Sequence, residues 1–393
     1  MISLEESLAL YAQHVRPLAS ERRPLADALG CVLAEPMQSR VDLPMFTQSA
    51  VDGYALNSAD AAATLQVIGE IAAGNAPGVE LQRGTAVRIF TGGALPEGAD
   101  TCARQEIVER TGDEIRIQKP LKAGLDTRFR GEEIKRGETL AQPGQRLHSG
   151  MIASAAMAGV DAVAVHRRPR VALIVTGDEV SASTVGEGGI YDANGPLASS
   201  WLRERLYPLT HIAYVRDDRE LLREALAEAL AKADVVLTSG GVSVGDRDYV
   251  PETAAALGLQ QVFWKVAQKP GKPLWFGVAP SGKCLLGFPG NPAAVLICLH
   301  VHAQRLLSLL EGETAAIPSW ERGALGMDVR ADSRDQLLRV SAVSREDGVT
   351  LLTPLPRQDS HMLSNLAAAT GIAWIPSGDA ATPAGAIVRW LRL

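Results

Sequence analysis

The stretch TSGGVSVGDRDY occupies residues 238–249, and the apolar run Val235-Val236-Leu237 leads into it behind Asp234. A short apolar run that ends in paired glycines is the pattern of a buried strand opening into a tight turn. Gly240 and Gly241 let the backbone approach a ligand without interference from a Cβ, and Ser239 and Ser243 add hydroxyls. Such a loop suits an anion, above all a phosphate. Asp246 and Asp248 set carboxylates beside it, where a divalent cation bound with a phosphate needs them. Two glycines alone would equally make an ordinary strand-to-helix turn. Two further loops change that balance. KPGKP at 269–273 follows Lys265, and FPGNP at 288–292 follows Cys284-Leu285-Leu286. Each is a rigid Pro-Gly turn at the end of a short β-like run. Lys265, Lys269 and Lys272 also gather positive charge on one loop of an acidic chain.

Outward from these loops, strands and helices alternate. Residues 171–175, 211–215, 234–238, 262–264, 274–276 and 284–286 read as strands, and 196–205, 221–232, 251–257 and 292–310 as helices. This order predicts an α/β fold: a doubly wound, mainly parallel sheet with helices on both faces. Ligands of such sheets bind at the carboxyl ends of the strands, where the three loops converge. Residues 2–15 have the period of an amphipathic helix with Glu5 and Glu6 in its first turn, and 149–160 reads as a small-residue helix capped by Gly159. From 42 to 136, short β-like runs alternate with glycine turns, and after Pro318 β-like alternation returns. The expected organisation is a helical N-terminal unit (1–41 and 137–168), an inserted mostly-β domain (42–136), the α/β domain (169–318) and a small C-terminal β-barrel-like domain (319–393).

Composition narrows the function classes. The 393 residues exceed one ordinary core, and 46% hydrophobic with 21% charged residues is globular composition. A net charge of −6 argues against a nucleic-acid-binding surface, so an anionic ligand has to be held by a local cluster. Cys31, Cys102, Cys284 and Cys298 have no metal-ligand spacing and read as reduced, buried thiols. His300 and His302 are the one close histidine pair, but two residues apart in a helix they face different ways, which argues against zinc. The N-terminus lacks the pattern of a signal peptide, and no run reaches about 20 apolar residues. The nearest approach is read at 151–165. These features predict a soluble, cytoplasmic protein without membrane partners.

Taken together, TSGGVSVGDRDY, WKVAQKPGKP and FPGNP resemble, in order and spacing, the molybdopterin molybdenumtransferases, which insert molybdenum during cofactor biosynthesis. LPMFTQSAVDGYA at 43–55, TGGALPEGAD at 91–100, TGDEV at 176–180, Tyr191-Asp192-Ala193-Asn194, Arg334, Arg339 and Ser360-His361 are similar to further motifs of that family. The resemblance spans nearly the whole chain. It implies conversion of adenylyl-molybdopterin and molybdate to molybdenum cofactor and AMP with Mg²⁺. It also implies a homodimer, and contact with the molybdopterin adenylyltransferase that supplies the substrate.

The resemblance further implies roles. Glu179 and Asp248 would be catalytic and hold the metal. Asp52, Thr91 and Glu133 would be catalytic residues of the inserted domain that reach a partner subunit's site. Ser239, Gly240, Gly241, Ser243, Lys265, Lys269, Lys272 and Asp217 would bind the substrate. Pro289, Pro292, Arg339 and Ser360 would hold molybdate. Most have a plainer alternative. Asp178, Asp217 and Asp218 suit helix caps, Asp52-Gly53 suits a turn, and Arg334 suits a surface charge. The chain also departs from the family. Glu133 is one methylene longer than the usual Asp, Gly93 replaces an Ala, and Asp359 replaces a Gly before the Ser-His step. A carboxylate at 359 repels an oxyanion and predicts a changed preference, tungstate included, unless Arg357 or another cation neutralises it. Two other classes compete: a molybdopterin-binding scaffold without turnover, and a nucleotide-phosphate hydrolase on the same α/β domain. The acidic pair Glu179 and Asp248 argues against the first, and the inserted domain against the second.

Overall fold

The computed structural model describes residues 1–181, 187–243, 248–315 and 318–393. Asp246 lies outside the described residues. The fold is α/β and multi-domain, with mixed sheets around a central layered domain.

In the central domain β1 (Val171–Thr176), β2 (Leu209–Val215), β3 (Val235–Ser239), β4 (Gln260–Trp264), β5 (Trp275–Val278) and β6 (Cys284–Phe288) form one sheet in the order β2-β1-β3-β6-β5-β4. The pairs β1–β2, β1–β3 and β3–β6 are parallel, and β5 runs antiparallel to both neighbours. The reversal at β5 has a local cause. Only a tight turn joins it to β6, closed by Ala279 N–H donating to Lys283 O at 2.8 Å, and a parallel return needs a crossover of a dozen residues or more.

Alternation along β1 assigns its two faces. Val171, Leu173 and Val175 pack with Trp201 and Leu202 of the helix Asn194–Glu204, with the apolar residues of 292–310, and with Leu4 and Tyr11. Ala172 and Ile174 face Leu222, Leu226 and Ala229 of the helix Arg219–Lys232 and Val250 and Ala254 of Val250–Ala256. Both faces are therefore dry, as the unbroken apolar strands require.

The stretch Pro292–Leu310 is one rod with a π turn at Leu299–Ala303. It is the one helix among the described residues long and apolar enough to cross a membrane, ahead of the stretch singled out in the sequence, and it is mostly buried in the domain. Within it, burial pushes both His300 and His302 down to about 3.

The first helix, Leu4–His14, starts at Ser3, whose hydroxyl accepts Glu6 N–H at 3.0 Å. It packs into the core of the α/β domain, because Leu4 and Tyr11 are its buried face. The remainder of the N-terminal unit holds the helix Ser149–Met157 and two small antiparallel pairings, Ser20–Pro24 with Ala162–His166 and Met37–Gln38 with Thr139–Ala141. One core joins residues on either side of the insertion, from Leu25 to Leu43 and from Ala141 to Val165. The inserted domain is a six-stranded mixed sheet, and near the C-terminus five strands close into a barrel. The pair Gln268–Lys269 adds to the barrel strand Asp335–Ser344 in parallel, which ties the KPGKP loop to the barrel.

Candidate active site

The carboxyl ends of β1, β3 and β6 open on a cleft of about 690 Å³. Glu179, Asp217, Ser239, Gly240, Gly241, Asp248 and Pro292 line it, together with Asp192, Asn194, Asn291 and His361. The far wall is the barrel loop that carries His361 and Leu363. That loop is fastened by Asn291 Nδ2, which donates to Ser360 Oγ at 2.8 Å.

Close packing shapes the floor. At Gly240 (φ +94°) a Cβ would meet Thr176 Oγ1 at 2.5 Å and Thr176 O at 2.9 Å, and at Gly241 (φ +70°) it would meet Val250 at 2.9 Å. The N–H of Gly240 is already used, donating to Phe288 O at 3.0 Å. Gly240 therefore provides close approach, and its N–H is not the ligand donor expected from the loop pattern. Asn194 is 8% exposed, and its Nδ2 donates to Ser239 Oγ at 2.7 Å and to Gly290 O at 2.6 Å, locking the β3 and β6 loops together. Ser239, receiving that bond, keeps its own proton to donate.

The acidic residues divide into caps and cleft walls. The Asp192 carboxylate accepts Asn194 N–H at 2.8 Å, Gly195 N–H at 3.0 Å and Tyr214 O–H at 3.0 Å, so it caps a helix start. Burial and the Asp192 charge together raise the Tyr214 phenol. Asp218 caps the helix Arg219–Lys232 through Leu221 N–H at 2.9 Å, which leaves Asp217 to line the cleft. Asp178 accepts Asp217 N–H at 3.2 Å and stands outside the lining. No Lys or Arg lines the cleft among the described residues. Among them, too, no group of three or more His, Cys, Asp or Glu is arranged to hold a metal ion.

The other sequence-selected residues lie elsewhere. Lys265 is half-buried with its ammonium 4.4 Å over the Trp264 ring, and Trp264 Nε1 donates to Val242 O at 2.9 Å, next to the glycine loop. Lys269 pairs with Asp332 at 2.9 Å, and Lys272 is exposed. Lys269 and Asp359 line a second groove of about 510 Å³ on the barrel. Ser243 is exposed and Pro289 buried, and neither lines the cleft. Arg339 is fully buried, donating from Nε to Asn365 Oδ1 at 2.7 Å and from Nη2 to the carbonyls of Arg357 and Asp359 at 3.0 and 3.3 Å. It pins the loop that carries Ser360 and reaches the cleft only through that loop. Burial lowers its guanidinium below the usual value. In the inserted domain Asp52 Oδ1 accepts both the N–H and the hydroxyl of Thr91 at 2.8 Å, and these two bonds hold its carboxyl below the usual range. Glu133 is exposed, and no residue of the inserted domain lines the cleft. Asn194, Asn291 and His361 are cleft residues to which the sequence assigned no role, although each lies in a quoted motif.

Three family models cover almost all of this architecture: the MoeA N-terminal region (domain I and II) at residues 2–159, a probable molybdopterin binding domain at 172–308, and the MoeA C-terminal region (domain IV) at 322–393. The chain is 34% identical to a molybdopterin molybdenumtransferase of Synechococcus elongatus over 98% of this chain and 97% of that protein. It is 32% identical to one of Staphylococcus epidermidis over 98% and 94%. The crystal structure of a molybdopterin biosynthesis MoeA protein from Pyrococcus horikoshii superposes with a TM-score of 0.83 at 31% identity, over 100% of this chain and 99% of that one. Motifs, layered domains, barrel and cleft thus agree with relatives matched from end to end, and the chain belongs to the molybdopterin molybdenumtransferase family, enzymes of molybdenum cofactor biosynthesis.

Proposed function

We propose that the cleft binds adenylyl-molybdopterin and that the protein uses it with molybdate to make molybdenum cofactor and AMP. The observation that carries this reading is the presence of Glu179 and Asp248 in the same cleft as the Ser239–Gly241 loop. Mg²⁺ takes one or two protein carboxylates and fills its shell with water and substrate phosphate oxygens. Two carboxylates without a third ligand suit an ion that arrives with the phosphates. When bound, Mg²⁺ would neutralise charge on the anhydride. The chain's own residues do the rest. Ser239 Oγ donates to a phosphate oxygen, Gly240 lets the loop that carries Ser239 pack against Thr176, and Asn194 keeps the β3 and β6 loops at a fixed spacing. Asn291 and Ser360 hold the barrel loop against the cleft, and with Pro292 they form the wall next to which molybdate would sit.

The decisive assay is AMP release from adenylyl-molybdopterin with Mg²⁺, with and without molybdate. Molybdate-stimulated release is expected, and Glu179→Ala should lower it about 100-fold or more, the size of effect seen when one group that stabilises transition-state charge is removed. Tight pterin binding without release would make the protein a carrier, and release indifferent to molybdate would make it a hydrolase.

The inserted-domain residues belong to the same proposal. Asp52, Thr91 and Glu133 stand outside their own chain's cleft, which is what residues contributed to a partner subunit in a homodimer require. Mixing Asp52→Ala with Glu179→Ala should then restore roughly a quarter of wild-type activity, because half of randomly mixed dimers carry one intact site. No recovery, with exchange of subunits verified, would sink the shared-site arrangement.

A further inference from the structure

Lys265, Lys269 and Lys272 share one loop, and its position is set from beneath by the N-terminal helix. At the start of the loop, Lys265 has φ +70°, a region that strains any residue with a side chain. Ile2 holds it there: Ile2 N–H donates to Lys265 O at 3.1 Å, and Ala267 N–H donates to Ile2 O at 2.7 Å. In the middle of the loop, Gly271 has φ +97°, and a Cβ there would lie 2.5 Å from Gln268 Nε2. The fully buried Gln268 amide is thus the floor on which the loop rests.

The hydrogen bonds under this floor have one possible direction. Gln268 Nε2 donates to Gly271 O at 3.3 Å, and a carbonyl only accepts. Gln268 Oε1 therefore faces His302 Nε2, 2.8 Å away, and that nitrogen carries the proton. In a neutral ring Nδ1 then accepts, and the Tyr11 hydroxyl 3.4 Å away donates to it. The ring is fully buried, and burial keeps it neutral. The relay runs Tyr11 to His302 to Gln268 to Gly271, from the first helix into the lysine loop.

We propose that Tyr11 and His302, acting through Gln268, are positioning residues that set the loop carrying Lys265, whose ammonium lies over Trp264 beside the glycine loop, for the anionic substrate. This rests on the reading of the cleft as the adenylyl-molybdopterin site and adds Lys265 at its edge. A core-packing role alone competes with it, since the Tyr11 ring packs against Phe263 and Phe276 with centroids at 5.4 and 4.6 Å.

The two roles separate by shape. In His302→Gln the new amide nitrogen reaches the place of Nε2 and still donates to Gln268, whereas His302→Asn is too short to do so. The experiment measures kcat and KM for adenylyl-molybdopterin in both variants, in Tyr11→Phe and in Lys265→Ala, on the full-length protein. His302→Asn is expected to raise KM about tenfold with kcat within about twofold, and His302→Gln to stay within about threefold of wild type. Tyr11→Phe keeps the ring and loses only the donor, so it serves if His302→Asn does not fold, and its KM should rise as well. If Lys265→Ala raises KM while His302→Asn and Tyr11→Phe do not, the relay is overturned and the lysine reading stands. Equal KM values in His302→Gln and His302→Asn would also overturn it, leaving packing. An unchanged KM in Lys265→Ala would remove the lysine reading, and the relay with it.

Discussion

Gly240→Ala is expected to lower stability by about 3 kcal/mol and to weaken adenylyl-molybdopterin binding by about 100-fold. Two costs act at the same atom. The residue sits at φ +94°, where a Cβ is strained by roughly 1–3 kcal/mol. The new carbon would also lie 2.5 Å from Thr176 Oγ1 and 2.9 Å from Thr176 O. The hydroxyl can rotate away, but the carbonyl belongs to the last residue of β1 and cannot, and overpacking of this kind costs about 1–3 kcal/mol. Relief requires that the β1 and β3 loops part. The β3 loop that has to move is also the one that Asn194 ties to the β6 loop through Ser239 Oγ and Gly290 O, so its shift strains those bonds. Binding suffers along with folding, because the substrate needs the spacing that the change destroys. Gly258→Ala is the control: it too has positive φ, but a Cβ there meets nothing within 4 Å. Chemical denaturation and pterin-quenched fluorescence of the two variants would separate strain from site damage. Equal binding loss in both would sink the spacing argument.

Much of this fold is legible in the sequence because burial imposes it. The unbroken apolar runs of β1, β3 and β6 have to be covered on both faces, so the α/β layering follows from residue type alone. The antiparallel β5 is less visible, since its direction depends on the length of one turn. The N-terminal helix shows its amphipathic period but not its partner: nothing near Leu4 or Tyr11 in sequence says that they complete the α/β core. At the site, residue type identifies candidates and geometry sorts them. Asp217 and Asp218 are adjacent and chemically identical, and only the helix start decides that Asp218 caps while Asp217 faces the cleft. Arg339 looks like an anion-binding group in a β-like stretch, yet the strand turns it inward to hold the loop that carries Ser360. Three lysines on one loop suggest a single cationic patch, but the fold sends Lys265 over Trp264 and Lys269 to Asp332. Asn194 was invisible as a brace because its value lies in bonding two loops about 45 and 96 residues away.

Asp234→Asn is expected to destabilise the protein by about 2 kcal/mol at neutral pH, and the loss should fade in acid. Asp234 sits just before β3 at the end of the sheet opposite the cleft, with its side chain 8% exposed. Arg167 reaches it with two parallel bonds, Nη1 to Oδ2 at 2.7 Å and Nη2 to Oδ1 at 2.8 Å, and Arg170 N–H donates to Oδ2 at 2.9 Å. Its backbone N–H donates to Arg170 O at 2.9 Å, and its carbonyl accepts Cys284 N–H at 2.9 Å. One residue thus aligns the starts of β1, β3 and β6, and their register determines how the three loops meet at the other end. An asparagine keeps the shape but offers one acceptor where the carboxylate offered two, and it leaves Arg167 without its counter-charge. Breaking a fully buried pair costs about 3–5 kcal/mol, and Arg167, 32% exposed, recovers part of that in water. Burial alone would raise the Asp234 carboxyl, but the Arg167 and Arg170 bonds outweigh it and hold the group well below the usual carboxylate range. A depressed folded value means that the charged form contributes stability at every pH above the unfolded value near 3.9, and that this contribution disappears as pH falls below it. The gap between wild type and variant in urea midpoint should therefore be flat from about pH 8 to 5 and narrow below about pH 4. A gap that persists unchanged at pH 3 would mean that shape, and not the ion pair, is what Asp234 contributes to strand alignment.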